Sequence, residues 1–240
     1  MSAETASAWS TSDFCLQAGP ANRWRDLAET AAKLYERVCR ADFERPGFSL
    51  LDLGNGVSPV ALREMMVGLK NELQRIHRER AGKDLVYVSA GRFDQQTTTK
   101  LHRDNGPEEN LLMLGYEPSQ VPSEVALADY SRCAFEMGIT PAEFLERHNP
   151  MFAAGADLLL PHVTRVTCFA HASAQIVLVN NSAAPYDPAA GNWQGVLHTA
   201  TILRPSPELR RAVNSTMIAS VPMGAPEGVS ETRLAEFMEE

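Results

Sequence analysis

From residue 163 onwards the chain is a series of short apolar segments separated by turns, and this pattern constrains the fold more than any other feature. Segments 163–169, 174–180, 195–203 and about 210–221 have the length of strands, and clusters of Pro, Gly, Asn and Ser separate them. The intervals are too short for the helices of βαβ units. Such spacing favours an antiparallel sandwich or barrel over a parallel sheet.

The beginning of the chain has a different pattern. Apolar residues recur at helical spacing from Arg23 to Arg40, and again from Pro59 to about Arg80. Ser58 is suited to cap the second helix, and proline is favoured at the first helical position. Residues 1–20 are polar and small, and Gly19-Pro20 marks a break.

The middle of the chain predicts further strands and a helical insertion. The strands are expected at 85–89, 110–116 and 125–130. Thr140-Pro-Ala-Glu has a capping-box pattern and begins a helix to about His148, inside an insertion over about 131–148. We therefore predict a mainly β protein with helical additions. Its expected parts are an N-terminal helical layer (1–84), a β core (85–222) and a C-terminal tail (223–240).

Two of the predicted extended segments carry histidines. His102 is followed two residues later by Asp104, and in an extended chain residues i and i+2 project from the same face. His198 comes from a distant strand. Two imidazoles and one carboxylate form the facial ligand set that suits Fe(II) and leaves coordination positions open. The three residues are therefore candidate metal ligands.

Other matches to functional motifs are weaker. His77-Arg78-Glu79 has the same H-x-E pattern, but it lies at the charged end of a predicted helix, where i and i+2 diverge, and we interpret it as a solvated face. His102-Arg-Asp-Asn is similar to the catalytic loop of protein kinases. However, Asn110 falls one residue late, and neither a D-F-G nor a phosphate-binding glycine loop accompanies it. We reject a kinase on these grounds.

The order of these features resembles the Fe(II)/2-oxoglutarate-dependent dioxygenase superfamily. The shared features are the H-x-D at 102–104, the histidine in Gly195-Val-Leu-His, and an arginine a little over ten residues beyond it. The segment Arg210-Arg-Ala-Val-Asn is similar to the last core strand of phytanoyl-CoA-hydroxylase-like members. The resemblance covers about 85–221. It implies a double-stranded β-helix (jelly-roll, cupin-like) core packed against the N-terminal helices.

The resemblance also implies a site and an activity. Fe(II) would be held by the three candidate ligands, and Arg210 or Arg211 would bind the far carboxylate of 2-oxoglutarate as co-substrate, with the strand similarity slightly favouring Arg210. The expected activity is hydroxylation of a small-molecule substrate with O2, releasing succinate and CO2. Arg92, Gln96 and Thr98 precede the H-x-D and are expected to contact the substrate.

Two alternatives stay open at this point. A cupin-like metalloenzyme without 2-oxoglutarate would take further ligands from His162 or His171. A jelly-roll binding protein would have no metal chemistry at all. We interpret these two histidines and His148 as structural or surface residues.

Composition bears on partners and location. The net charge of −8 gives no broad attraction to nucleic acid or to an anionic membrane surface, so neither partner is expected. The start of the chain does not resemble a signal peptide, and no apolar run approaches the length of a membrane span. The four cysteines lack C-x-x-C spacing, which predicts reduced, mostly buried thiols in a cytoplasmic protein. Composition gives no indication of the oligomeric state.

Overall fold

The computed structural model describes residues 9–18 and 27–239, and combines helices with two open sheets. The helices are α1 (Thr11–Phe14), α2 (Leu27–Val38), α3 (Pro59–Ala81), α4 (Tyr130–Glu136), α5 (Pro141–Arg147), α6 (Ala153–Leu159) and α7 (Glu231–Glu239), with a 3-10 turn at Leu160–His162. The strands are β1 (Cys15–Gln17), β2 (Phe48–Gly54), β3 (Lys83–Asp94), β4 (Asn110–Tyr116), β5 (Ser123–Ala128), β6 (Val163–Arg165), β7 (Ala174–Asn180), β8 (Leu197–Ile202) and β9 (Ala212–Pro222).

The larger sheet has six strands in the order β1-β2-β7-β4-β9-β3. All of its pairs are antiparallel except the edge pair β1 and β2, which is parallel. The smaller sheet has three antiparallel strands in the order β6-β5-β8. This arrangement agrees with the expectation of a mainly β protein with helical additions.

The two faces of the larger sheet pack against different partners. On one face, apolar side chains of the strands pack against α2, α3 and α7 in a single core cluster that includes Leu34, Leu69 and Phe237. On the other face, Leu112, Leu114 and Val177 join Val125 and Leu127 of β5 in a second cluster. The smaller sheet is therefore held against the larger one by buried apolar side chains, and a cavity between them can be shaped by both.

The long helix α3 forms as its sequence predicts. Ser58 Oγ accepts a hydrogen bond from the backbone N–H of Ala61 at 3.1 Å, and Pro59 occupies the first turn. The helix ends at Gly82, which has a φ of 62° and donates its N–H to the carbonyl of Arg78. A residue with positive φ at this position satisfies the last carbonyls and favours glycine. The other predicted N-terminal helix is observed as α2, and its predicted part before Leu27 lies outside the described residues.

The N-terminal segment is not purely helical. Phe48-Ser-Leu-Leu-Asp-Leu-Gly forms β2, which pairs with β7 in the middle of the larger sheet and was not predicted. Nearly every residue of β2 is buried because helices cover one face of the sheet and the smaller sheet covers the other. A continuous apolar run of this kind lacks the alternation that marks a half-exposed strand.

The insertion and the tail also differ from expectation. The helical insertion continues beyond His148 through α6 to the turn at Leu160–His162, and the strand expected over 163–169 is limited to Val163–Arg165. The C-terminal tail contains α7, whose Phe237 is fully buried in the main core. The division of the chain at residues 85 and 223 stays a prediction.

All four cysteines are free. Cys133 is buried, whereas Cys15, Cys39 and Cys168 are only partly buried, so the expectation of mostly buried thiols holds for one of them. Every helix within residues 9–18 and 27–239 is too short or too polar to cross a bilayer.

Candidate metal centre

The two candidate histidine ligands lie opposite each other across a short antiparallel bridge. His102 donates its backbone N–H to the carbonyl of His198 at 3.1 Å, and His198 donates to the carbonyl of His102 at 3.0 Å. Directly opposed residues in such a pair project to the same face. The two imidazole rings are therefore neighbours, with centroids 4.2 Å apart.

The segment before His102 is attached to β8 by further hydrogen bonds. Thr99 donates its N–H to the carbonyl of Ala200 at 3.0 Å, and the Thr199 hydroxyl donates to the carbonyl of Thr99 at 2.6 Å. The side chain of Thr98 accepts from the N–H of Ile202 at 2.9 Å. These bonds let residues 98–102 act as an additional partner strand, so the placement of His102 is rigid.

Asp104 completes the group. Its Oδ1 lies 3.4 Å from Nε2 of His102. One ligand atom from each of His102, Asp104 and His198 lies within 4.8 Å of the other two. The geometry can hold a metal ion with two imidazoles and one carboxylate, the ligand set that suits Fe(II) with open positions.

The two histidines of the site differ in burial and in charge, because His102 is partly exposed and His198 is buried. The Asp104 carboxylate raises the pKa of His102, and the hydrogen bond from His102 lowers the pKa of Asp104. Burial lowers the pKa of His198 to about 4, and so keeps its imidazole neutral. Neutral imidazole is the form that binds a metal.

The tautomer of His102 also fits a ligand. Its Nδ1 lies 2.7 Å from the carbonyl oxygen of Lys100, which can only accept, so Nδ1 carries a proton. Nε2 faces Asp104 and carries the proton that it donates to the carboxylate, and a metal ion at Nε2 would displace this proton. An imidazole that binds a metal through one nitrogen commonly donates its other N–H to a backbone carbonyl, and this hydrogen bond fixes the orientation of the ring.

His198 has an unsatisfied polar atom. Its Nδ1 is buried and has no hydrogen-bond partner among the described residues. Leaving a buried nitrogen unpaired costs about 1–3 kcal/mol. This cost is consistent with an imidazole that is completed by a group from outside the chain.

The three residues open onto a cavity of about 170 Å³ between the larger sheet and β8. Besides the ligand set, the lining residues are Phe93, Gln95, Thr99, Leu114, Tyr116, Ala200, Val213 and Ser215. A larger cavity of about 490 Å³ lies along β5 and β6, but none of the three candidate ligands lines it. The cavity of about 170 Å³ is therefore the one that the candidate metal ligands line.

Arg211 lies beside this cavity and Arg210 does not. Arg211 is only 2% exposed, and its Cζ lies 5.0 Å from the centroid of the Tyr116 ring. Its Nε donates to Ser123 Oγ at 2.8 Å, and a second nitrogen donates to Gln95 Oε1 at 2.5 Å. The third nitrogen, NH2, is buried and has no hydrogen-bond partner in the described ranges.

Arg210, which the sequence similarity slightly favoured, has an exposed side chain. The different burial of the two arginines follows from strand parity. Arg211 donates its N–H to Asp94 Oδ1 and accepts from the N–H of Gln95, so it extends the pairing of β3 and β9. The turn before β9 hides this parity in the sequence.

The three expected substrate contacts are engaged within the protein. Arg92 makes two hydrogen bonds to the Glu117 carboxylate, at 2.7 and 2.9 Å. Gln96 donates to the carbonyl of Leu209 at 2.8 Å, and Thr98 binds β8 as described above. The structure places none of the three among the residues that line the cavity.

Their sequence neighbours Gln95 and Thr99 line it instead, together with Phe93 on β3. Sequence reasoning located the right segment but missed these residues, as well as Tyr116 and Ser215. Alternation along β3 would have identified Phe93. The loop between β3 and the H-x-D has no such period.

His77 corrects our interpretation of the H-x-E match as a solvated face. It is 1% exposed, with Nδ1 2.8 Å from the hydroxyl of Tyr35 and Nε2 3.0 Å from Ser220 Oγ. Its ring also lies 5.0 Å from that of Trp193. The end of α3 is covered by segments that are distant in the sequence, so helical periodicity alone could not show this burial.

The remaining histidines lie apart from the centre. His162 is near Glu136, at 3.5 Å, and His148 contacts Phe144. His171 uses its backbone carbonyl to accept from Ser119. Across the described part of the chain, the only group of three or more potential ligands is the one around His102. The additional ligands expected of a cupin-like centre are thus not in place.

Comparisons with known proteins leave the family open. No protein-family model matches the chain, and no curated protein does. Among solved structures, the chain is similar to HygX from Streptomyces hygroscopicus, determined with iron bound. The identity is 12%, the match covers 82% of this chain and 88% of that one, and the TM-score is 0.43.

Proposed function

We propose that this protein is an Fe(II)- and 2-oxoglutarate-dependent oxygenase that acts on a small-molecule substrate. The observation that carries the proposal is the convergence of His102, Asp104 and His198 within 4.8 Å at a cavity beside a buried, partly unpaired arginine. The two sheets that enclose this cavity are consistent with a double-stranded β-helix core, which we propose as the finer description of the fold.

His102, Asp104 and His198 would hold Fe(II) on one side and leave the cavity side open. When bound, Fe(II) and 2-oxoglutarate supply the oxidising chemistry, in which O2 converts 2-oxoglutarate to succinate and CO2 and places its second oxygen atom in a substrate C–H bond. The protein contributes a neutral His198, a fixed tautomer of His102 and an ionised Asp104. These groups are ready to bind a divalent cation without losing more than one proton between them.

Arg211 would bind the distal carboxylate of 2-oxoglutarate. Its guanidinium is held by Ser123 and Gln95 and lies against the Tyr116 ring, and NH2 has no hydrogen-bond partner among the described residues. Burial lowers the pKa of Arg211, and a carboxylate beside it would offset this cost of desolvation. Arginine suits this task because its planar fork meets a carboxylate with two parallel hydrogen bonds.

The cavity lining combines apolar side chains with hydroxyl groups. Phe93, Leu114 and Val213 supply apolar walls, and Tyr116 is almost fully buried next to Arg211. In such an environment an ion pair between Arg211 and a carboxylate is stronger than at the surface. Thr99 and Ser215 add hydroxyls that can accept or donate hydrogen bonds to a bound acid or to the substrate.

Anaerobic titration of the metal-free protein with Fe(II), followed by 2-oxoglutarate, tests the proposal. We expect one equivalent of Fe(II) to bind, and a visible charge-transfer band to develop when the 2-oxo acid chelates it. Both signals should be lost in His198→Ala. Iron binding without the band would instead favour a metalloenzyme that does not use 2-oxoglutarate. Absence of iron binding would show that His102, Asp104 and His198 are structural residues, and it would favour the alternative of a binding protein without metal chemistry.

A further inference from the structure

Asp104 has no strand to hold it. Residues 103 and 104 lie outside the regular elements, just beyond the bridge that fixes His102. The backbone of Asp104 is bonded instead by one side chain, that of Asn181. The N–H of Asp104 donates to Asn181 Oδ1 at 3.0 Å, and Asn181 Nδ2 donates to the carbonyl of Asp104 at 2.9 Å.

The amide of Asn181 is itself fixed in orientation. Asn181 is fully buried and directly follows β7, and its Nδ2 also donates to Asn110 Oδ1 at 2.8 Å. Asn110 donates its own Nδ2 to the carbonyl of Pro107 at 2.7 Å and to that of Asn181 at 3.1 Å. Reversing the Asn181 amide would bring its NH2 against the N–H of Asp104, so only the observed orientation satisfies every group.

Arg103 also links the loop over residues 103–107 to the backbone of Asn181. Its Nε donates to the backbone carbonyl of Asn181 at 2.7 Å, and its NH2 donates to the carbonyls of Gly106, at 3.0 Å, and Pro107. The loop from 103 to 107 therefore bends around the Asn181 position. The only bonds to the backbone N–H and C=O of Asp104 that we find among the described residues come from the Asn181 amide.

We propose that Asn181 is a positioning residue of the metal centre. It replaces the missing strand by bonding the Asp104 backbone on both sides, and so it sets where the carboxylate lies relative to His102 and His198. The inference rests on the proposed metal centre and assigns a role to a residue that contacts neither the metal nor the cavity. Loss of a group that orients a ligand typically weakens metal binding by about 10- to 100-fold.

The test uses Co(II), whose visible absorption reports binding without redox chemistry. The variant is Asn181→Leu, which is similar in size and lacks the two hydrogen bonds to the Asp104 backbone and the one to Asn110. The matched control is Asn180→Leu. Asn180 is equally buried and adjacent, but its side chain donates to the carbonyl of Val38, at 2.9 Å, and accepts from the N–H of Ser182. Thermal unfolding of the metal-free proteins is measured in parallel.

We expect the wild type to bind one Co(II), Asn181→Leu to bind it about 10- to 100-fold more weakly, and Asn180→Leu to keep the wild-type affinity. Equal affinities of wild type and Asn181→Leu would overturn the inference, and so would equal losses in both variants, which would indicate general destabilisation. Failure of the wild type to bind Co(II) would instead refute the metal centre itself. If Asn181→Leu does not fold, Asn181→Thr replaces the amide by a hydroxyl, which can make one of the two hydrogen bonds to the Asp104 backbone and should give an intermediate affinity. Wild-type affinity in Asn181→Thr would contradict the proposed role.

Discussion

The burial of His77 predicts how the stability of the protein depends on pH. Burial lowers the pKa of His77 from 6.5 to about 4, so the folded protein holds this ring neutral where the unfolded chain would protonate it. Between pH 6.5 and pH 4 the unfolded state therefore binds more protons, and the free energy of unfolding falls as the pH is lowered. A difference of about 2.5 in pKa, at about 1.36 kcal/mol each, corresponds to about 3 kcal/mol.

We expect the free energy of unfolding of the wild type to fall by about 3 kcal/mol more than that of His77→Gln between pH 7 and pH 4. Urea unfolding of metal-free protein at steps of half a pH unit measures both curves. The titration of His198 is common to the two proteins and cancels in the difference. Parallel curves for wild type and His77→Gln would refute the reasoning, because they would show that His77 titrates equally in both states.

Three further results are expected from single substitutions. His198→Ala should abolish stoichiometric metal binding, measured by metal analysis after gel filtration, while the far-UV circular dichroism of the protein stays close to that of the wild type. Arg211→Met should raise the half-saturating concentration of 2-oxoglutarate about 10- to 100-fold, because a lost hydrogen bond to a charged group costs about 1.5–3 kcal/mol. Arg210→Met should leave this concentration within about twofold of the wild-type value. Gly195→Ala should reduce the free energy of unfolding, measured by urea titration, by about 3 kcal/mol or more. The reason is that the added Cβ would lie 2.0 Å from the backbone oxygen of Ser182. A reduction below about 1 kcal/mol would show that the backbone at this turn can shift to accommodate the methyl group.

The elements that the sequence predicts well are those with a local signal. Helix α3 has its cap at Ser58 and its apolar stripe, and α5 has the capping box of Thr140 with Glu143. The strands β4, β7, β8 and β9 are bounded by turn residues on both sides. The three candidate metal ligands, which the structure brings together, also have a local signal, because an extended H-x-D and a histidine on an apolar strand are visible without knowledge of the packing.

The features that the sequence did not predict depend on contacts between distant segments. Strand β2 is buried on both faces, which removes the alternation that would identify it. His77 is buried by Tyr35 and Trp193, which belong to other parts of the chain. The different burial of Arg210 and Arg211 depends on how a turn joins β9, and one residue of difference moves a side chain from a buried position beside Tyr116 to solvent.

The bridge between His102 and His198 means that the position of His198 at the candidate metal centre depends on how two backbone segments are aligned. Since successive residues of a strand face opposite sides, a slip of one position would turn His198 away from the centre and leave His102 and Asp104 behind. Point substitutions along β8 can therefore preserve the ligand set, whereas a shift of β8 by one residue against residues 98–102 would remove His198 from it without altering any ligand.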